Sequence, residues 1–233
     1  MTGPLALVGG DELRRGNEPQ DRVLVAAARA RGGTAFVLAT AAARHRPDLA
    51  MRNATAWFGG LGLEVEELPV RSRDDARSAA TADRASSGSF FYLVGGDPGF
   101  LLETLRDTPT WEAIAAAWRG GAALGGSSAG AMVLASHVLL PGGRGRAATP
   151  GLGVVPGIAV IPHLDTFGAT WRGAGIAGLP EDARLVGIGE RTAVVFEDGA
   201  WRVLGDGGIE VLDGTGRARR PAAGGPVDLP IPS

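Results

Sequence analysis

Gly126-Ser127-Ser128-Ala129-Gly130 spells G-x-S-x-G at the point where a short apolar run, Gly121 to Gly126, breaks into SSAGAMVLAS, a segment suited to a helix. At such a strand-to-helix corner, small neighbours let the backbone turn tightly and hold the Ser128 hydroxyl exposed at a sheet edge. The free amides and dipole of the helix start favour an approaching negative charge. Ser128 is therefore a candidate nucleophile. The competing reading is a helix cap followed by a small-residue packing face, because glycine, serine and alanine are common in this chain.

A serine hydroxyl needs a base, and the chain has three histidines, His45, His137 and His163. His45 lies in the polar entry ARHRPDLA and reads as a solvated surface residue. His137 follows Ser128 by nine positions, on or just after the same helix. His163 ends the apolar run GIAVIP, which brings its ring to the sheet edge that carries Ser128. It is the best candidate base, with a satisfied strand-end histidine as the alternative. A third group must orient the imidazole. Between Ser128 and His163 there is no Asp or Glu, so an order with the acid between nucleophile and histidine cannot be met. Glu190, ending the run LVGIG, has the right placement, and Asp165 remains an alternative orienter. An oxyanion needs two amides aimed at one point. Ala129 offers one from the turn itself, and the Gly95-Gly96 pair that ends SFFYLVGG offers another, with Gly96 the candidate. Asp97 beside it is a candidate contact for a substrate amine.

The elements that must position these residues alternate. LALV, TAFVLAT and SFFYLVGG read as strands, with LEVEELPV as a half-exposed one, and helical stretches DRVLVAAARARGG, PDLAMRNATAWFGGLG and DDARSAATADRASS lie between them. Pro98 to Arg119 reads as one or two helices around Pro109. GIAVIPHL and LVGIG follow as strands, and TAVVFEDGAWRVLGDGGIEVLDG reads as antiparallel hairpins with Asp-Gly turns. The alternation predicts an α/β fold: a three-layer, doubly wound, mostly parallel sheet with a C-terminal antiparallel hairpin extension, as one domain over residues 1–220. Residues 221–233 read as a loose proline-rich tail.

Composition narrows the partners. A net charge of −2 gives no footprint for nucleic acid or an anionic membrane. The absence of cysteine removes disulfides, a thiolate zinc site and a cysteine nucleophile. No metal or cofactor is called for. MTGPLALVGGDE has no basic segment and only a short apolar run, so neither a signal peptide nor a membrane span is expected, and a cytoplasmic location follows by default. Phe90, Phe91 and the tryptophans fit core or interface equally well, leaving monomer and homodimer open.

The pieces LVGG, FFYLVGGD, GGSSAGAMVLA, GLGVVPGIAVIPHLD and LVGIGERTAVV, in this order, resemble the peptidase E and cyanophycinase family of serine peptidases over about the first 200 residues. The resemblance implies a class I glutamine amidotransferase-like fold with serine in place of cysteine, and hydrolysis of aspartyl or β-aspartyl bonds in small peptides through an acyl-enzyme. Ser128 then stands as nucleophile, His163 as base, and Glu190 where the cyanophycinase branch has its orienting glutamate. Substrate specificity leans elsewhere. Cyanophycinases usually carry Asp-Gln before the histidine and several arginines after it; here Ile161-Pro162 precede, and Arg172 is the one arginine soon after, a candidate for a substrate carboxylate. The same apparatus would serve an esterase or amidase on non-peptide substrates, and a non-catalytic binding protein on this fold is a third reading.

Overall fold

Strands form here where apolar residues run unbroken, because a strand covered on both faces has no side to show to water. The computed structural model describes residues 2–140, 147–166 and 178–233. Its first half alternates: β1 (Leu5–Val8), α1 (Glu18–Arg31), β2 (Thr34–Leu38), a 3-10 turn (Thr40–Ala42), α2 (Pro47–Gly60), β3 (Glu66–Glu67), α3 (Arg73–Arg77), α4 (Ala79–Ser86), β4 (Gly88–Leu93), α5 (Pro98–Leu105), α6 (Pro109–Arg119), β5 (Ala123–Ser127) and α7 (Ala129–Leu134). The rest is strand: β6 (Ala135–Val138), β7 (Thr149–Pro150), β8 (Val155–Ile161), β9 (Arg184–Ile188), β10 (Thr192–Glu197), β11 (Ala200–Gly205), β12 (Ile209–Leu212), β13 (Ala218–Arg219) and β14 (Pro226–Val227).

Helix starts follow capping chemistry. Pro98 and Pro109 open α5 and α6, while Asp97 Oδ1 and Thr108 Oγ1 accept from the amides of Phe100 and Trp111 at 3.0 and 3.3 Å. The larger sheet runs β14-β11-β10-β1-β5-β4-β2-β3, parallel from β1 to β3. Its faces alternate by residue. Ala6, Val8, Phe90 and Tyr92 cluster with Leu24, Ala28 and Phe58 of α1 and α2, whereas Leu5, Leu7, Phe91 and Leu93 cluster with Leu101, Ile114 and Trp118 of α5 and α6. This is the expected doubly wound α/β sheet. Six of the strands after α7 form a second sheet, β13-β12-β9-β8-β6-β7, parallel at its centre, whose Val155, Ile158, Val160 and Val186 close the same core as Leu5 and Leu7.

Several local expectations change. LEVEELPV keeps only Glu66–Glu67 as an edge strand, and Pro69, which cannot donate to a ladder, closes it on the C-terminal side. DDARSAATADRASS divides at Ser78, whose extended backbone and hydroxyl cap α4. β10 and β11 form the expected hairpin across Asp198-Gly199, but β12 does not continue it; a bend beginning at Gly205 (φ 104°) carries the chain to the second sheet, where β12 pairs with β9. The end of the chain is not loose. β14 pairs with β11, Trp201 Nε1 donates to the Pro230 carbonyl at 2.9 Å, and the Ser233 amide donates to Val154 at 2.9 Å. Phe90, Phe91, Trp111, Trp118 and Trp201 are buried within the chain, Trp57 packs at the core margin, and Trp171 lies outside the described residues. Among the described residues no helix is long and apolar enough to cross a membrane.

Asp21 on α1 is fully buried and accepts from Trp57 Nε1 at 2.7 Å. Burial pushes its carboxyl from 3.8 up to about 7; the Trp57 bond opposes this, while the Glu12 and Glu18 charges add to it. A group that binds its proton more tightly when folded stabilises the fold fully below its unfolded pKa and loses that contribution as pH rises through the folded one. The melting temperature of wild type should therefore decline, relative to Asp21→Asn, as pH is raised from about 4 to about 7, and run parallel to it above that range. Melting curves of the two proteins across this window check the expectation; a constant difference throughout would contradict a buried, protonated Asp21.

Candidate active site

Ser128 occupies a sharp corner between β5 and α7, at φ 48° and ψ −109°, a backbone conformation that L-residues rarely hold without support. Its glycine neighbours make the corner possible. A Cβ on Gly126 would stand 2.6 Å from the Gly130 carbonyl carbon, and one on Gly130 would overlap the Leu93 carbonyl oxygen. The Ser128 amide donates to the Val8 carbonyl at 2.9 Å, tying the corner to the end of β1. The side chain is half-buried, so its hydroxyl is reachable yet directed.

His163 follows β8, and Glu190 follows the neighbouring parallel strand β9. His163 Nε2 lies 3.1 Å from Ser128 Oγ, and Nδ1 lies 2.9 Å from Glu190 Oε1. With the ring proton on Nδ1, His163 donates to Glu190 and Nε2 accepts the Ser128 hydroxyl, the tautomer that proton removal from serine requires. Both partners are about one quarter to one third exposed, at 26% and 31% of the side chain. The two oxygens of Asp165 receive the Glu190 amide at 3.1 and 3.3 Å. His45 is exposed ahead of α2, and His137 sits on β6.

Gly96 (φ 147°) is exposed, seated against the Ala41 carbonyl where a Cβ would overlap, and its amide makes no hydrogen bond among the described residues. Ala129 is the first residue of α7, so its amide has no acceptor within its own helix. Asp97 caps α5 with its carboxylate, and Arg172 lies outside the described residues. Glu12 is a residue the sequence reading missed: its Oε1 accepts from the Gly95 amide at 2.8 Å and its Oε2 from Ser127 Oγ at 3.0 Å. Nothing in its local sequence signals this, since both donors are distant in the chain. Among the described residues no group of three His, Asp or Glu could hold a metal ion.

The sequence model of peptidase family S51 matches residues 5–204. The chain belongs to this family of serine-type peptidases. A cyanophycinase of Trichormus variabilis is 32% identical over 199 residues, covering 80% of this chain and 66% of that protein. One from Synechococcus elongatus is 30% identical over 220 residues, covering 90% and 67%. The chain thus spans about two thirds of the length of these curated relatives. A crystal structure of a peptidase from an acI-B1 actinobacterium superposes with a TM-score of 0.87 at 33% identity, covering 98% of each chain. A candidate peptidase E of Listeria monocytogenes, 16% identical with a TM-score of 0.62, shares the fold.

In this S51 chain Gly10 (φ 123°) has no room for a side chain, because a Cβ there would run into the His163 ring. Gly10→Ala should displace the imidazole and slow fluorophosphonate labelling of Ser128 about 100-fold, the scale of a misplacement near 1 Å. Labelling rates of the two proteins at equal folded fraction test this, and an unchanged rate would show that the ring has slack.

Proposed function

We propose that this S51 protein hydrolyses small peptides or isopeptides, at aspartyl or β-aspartyl bonds, through an acyl-enzyme on Ser128. The observation that carries the reading is the continuous line of hydrogen-bond contacts from Ser128 Oγ through the His163 ring to Glu190, at 3.1 and 2.9 Å. His163 Nε2 takes the hydroxyl proton as Ser128 Oγ attacks the amide carbon, and the Gly96 and Ala129 amides receive the oxyanion. The imidazolium, held by ionised Glu190, then gives its proton to the leaving nitrogen as the C–N bond breaks. Water, deprotonated by the same ring, attacks the acyl-enzyme; the acid product leaves and the Ser128 hydroxyl is restored.

The aspartyl preference is supported by the relatives' names and by the resemblance of the motif set, not by a charged substrate grip among the described residues. Cyanophycin itself is not the substrate we propose, because Ile161-Pro162 stands where cyanophycinases usually carry Asp-Gln. An esterase or amidase acting on non-peptide substrates would use the same site.

Ser128→Ala should lose all fluorophosphonate labelling while melting normally, and wild type should turn over at least one member of a panel of α- and β-aspartyl dipeptides. Cleavage of simple esters alone would favour the esterase reading, and absence of labelling in folded wild type would sink the serine mechanism. Glu190→Gln preserves shape but favours the wrong imidazole tautomer, so kcat should fall by roughly 10⁴-fold with KM little changed. Steady-state kinetics on the cleaved dipeptide measures it.

A further inference from the structure

The segment from Gly10 to Gly16 is held in an uncommon shape. Gly10, Asp11, Leu13 and Gly16 all have positive φ, at 123°, 51°, 60° and 103°. Asp11 and Leu13 are not glycine, so this backbone persists only because its surroundings dictate it. Asn17 Nδ2 donates to the carbonyls of Asp11 at 2.9 Å and Arg14 at 3.2 Å, and the Arg191 amide donates to the Gly10 carbonyl at 2.9 Å. The shape delivers one side chain, Glu12, under the catalytic corner.

Glu12 uses each carboxylate oxygen on a different strand end. Oε1 takes the Gly95 amide just beyond β4, and Oε2 takes the hydroxyl of Ser127, the last residue of β5. Those strands are parallel neighbours, and the residues that follow Gly95 and Ser127 are Gly96 and Ser128. The packing leaves little slack: a Cβ built on Gly95 would lie 3.0 Å from Glu12 Oε1 and 3.3 Å from Ser128 Cβ. Both of Glu12's partners are donors, and an ionised carboxylate, which only accepts, satisfies both. A glutamine of the same shape keeps both contacts, its oxygen accepting from the Gly95 amide and its NH₂ donating to the Ser127 hydroxyl, which accepts as well as donates, so only a truncation breaks the link. An aspartate is one methylene too short to reach both.

We propose that Glu12 is a positioning residue for acyl transfer, clamping the Gly95-Gly96 turn to the Ser127-Ser128 corner so that the Gly96 and Ala129 amides converge on one oxyanion. The proposal rests on the serine mechanism described above. Glu12 touches neither substrate nor the reacting atoms; it acts through the amides it aligns. Its carboxylate also sets a negative charge close to the developing oxyanion, which opposes catalysis. The clamp must outweigh that charge if Glu12 contributes to rate.

The test compares wild type, Glu12→Ala and Ser127→Ala in fluorophosphonate labelling, in dipeptide kinetics and in the inhibition constant of a boronic acid that forms a tetrahedral adduct on serine. Glu12→Ala, which removes both bonds, should lower kcat and the labelling rate about 100-fold, the scale set by loss of one oxyanion donor, with KM within about twofold and boronate affinity falling in step with kcat/KM. Ser127→Ala, which keeps the Gly95 bond, should show the same pattern more weakly. The double variant should cost less than the two effects multiplied, because both remove the same contact. Unchanged kcat in Glu12→Ala, a rise in kcat from loss of the charge, or a loss of kcat and rise in KM that merely follow a lowered melting temperature would each overturn the proposal. If Glu12→Ala does not fold, Ser127→Ala decides by the same criteria. If wild type itself is not labelled, the serine mechanism fails and the proposal with it, whereas equal labelling of wild type and Glu12→Ala defeats the clamp alone.

Discussion

The site depends on three consecutive residues at the end of β1. The Val8 carbonyl accepts the Ser128 amide, the Gly9 carbonyl accepts the His163 amide at 2.7 Å, and the Gly10 carbonyl accepts the Arg191 amide beside Glu190. The Gly9 amide donates to Thr192 at 2.9 Å. One short length of backbone therefore sets the positions of all three segments that carry Ser128, His163 and Glu190. Side chains are excluded from it: a Cβ on Gly9 would overlap the Gly189 carbonyl, and one on Gly10 would overlap the His163 ring. Glycine costs conformational entropy on folding, and here that cost secures an approach no other residue permits.

The central location of β1 follows from the layers. It lies between β10 and β5 in the larger sheet, while His163 and Glu190 arise from β8 and β9 in the smaller one. Ser128 stands where the chain leaves the larger sheet after β5, and Glu190 stands where it returns to it before β10. Ser128, His163 and Glu190 are thus brought together at the seam between two sheets. A backbone passing from one sheet to another must turn abruptly, which matches the positive φ values of Ser128 and Arg191, at 48° and 54°; His163, just after β8, is also held at positive φ, 52°. Dense hydrogen bonding and the shared core of the two sheets hold these conformations in place.

What the sequence made legible was what scarcity or periodicity marks. Three histidines and an acid-free stretch from Ser128 to His163 leave few ways to build a nucleophile, base and orienting acid, and strand-end placement selects His163 and Glu190 among them. Unbroken apolar runs located β1, β4, β5, β8 and β9. The second sheet was not legible, because LVGIG and GIAVIP look the same whether they extend one sheet or start another. Nor was the docking of the last residues: the Trp201 indole donates to the Pro230 carbonyl and the Val154 carbonyl accepts the Ser233 amide, single contacts that no composition signals. Glu12 was hidden for a similar reason, since a carboxylate that receives a distant backbone amide looks, in sequence, like any loop acid.

The choice between Glu190 and Asp165 as partner of His163 illustrates how the structure divides labour that sequence leaves joined. Both residues follow His163 in the chain, and either side chain is a carboxylate of the kind that accepts from an imidazole N–H. Asp165 is exposed and spends its oxygens on the Glu190 amide, while Glu190, more shielded, turns its side chain to the ring. A hydrogen bond to an imidazole gains strength as water is excluded from it, so the less exposed acid is the better electrostatic partner. The more exposed one still matters, because by fixing the Glu190 backbone it removes a freedom that the side chain would otherwise have to lose each time the ring takes up a proton.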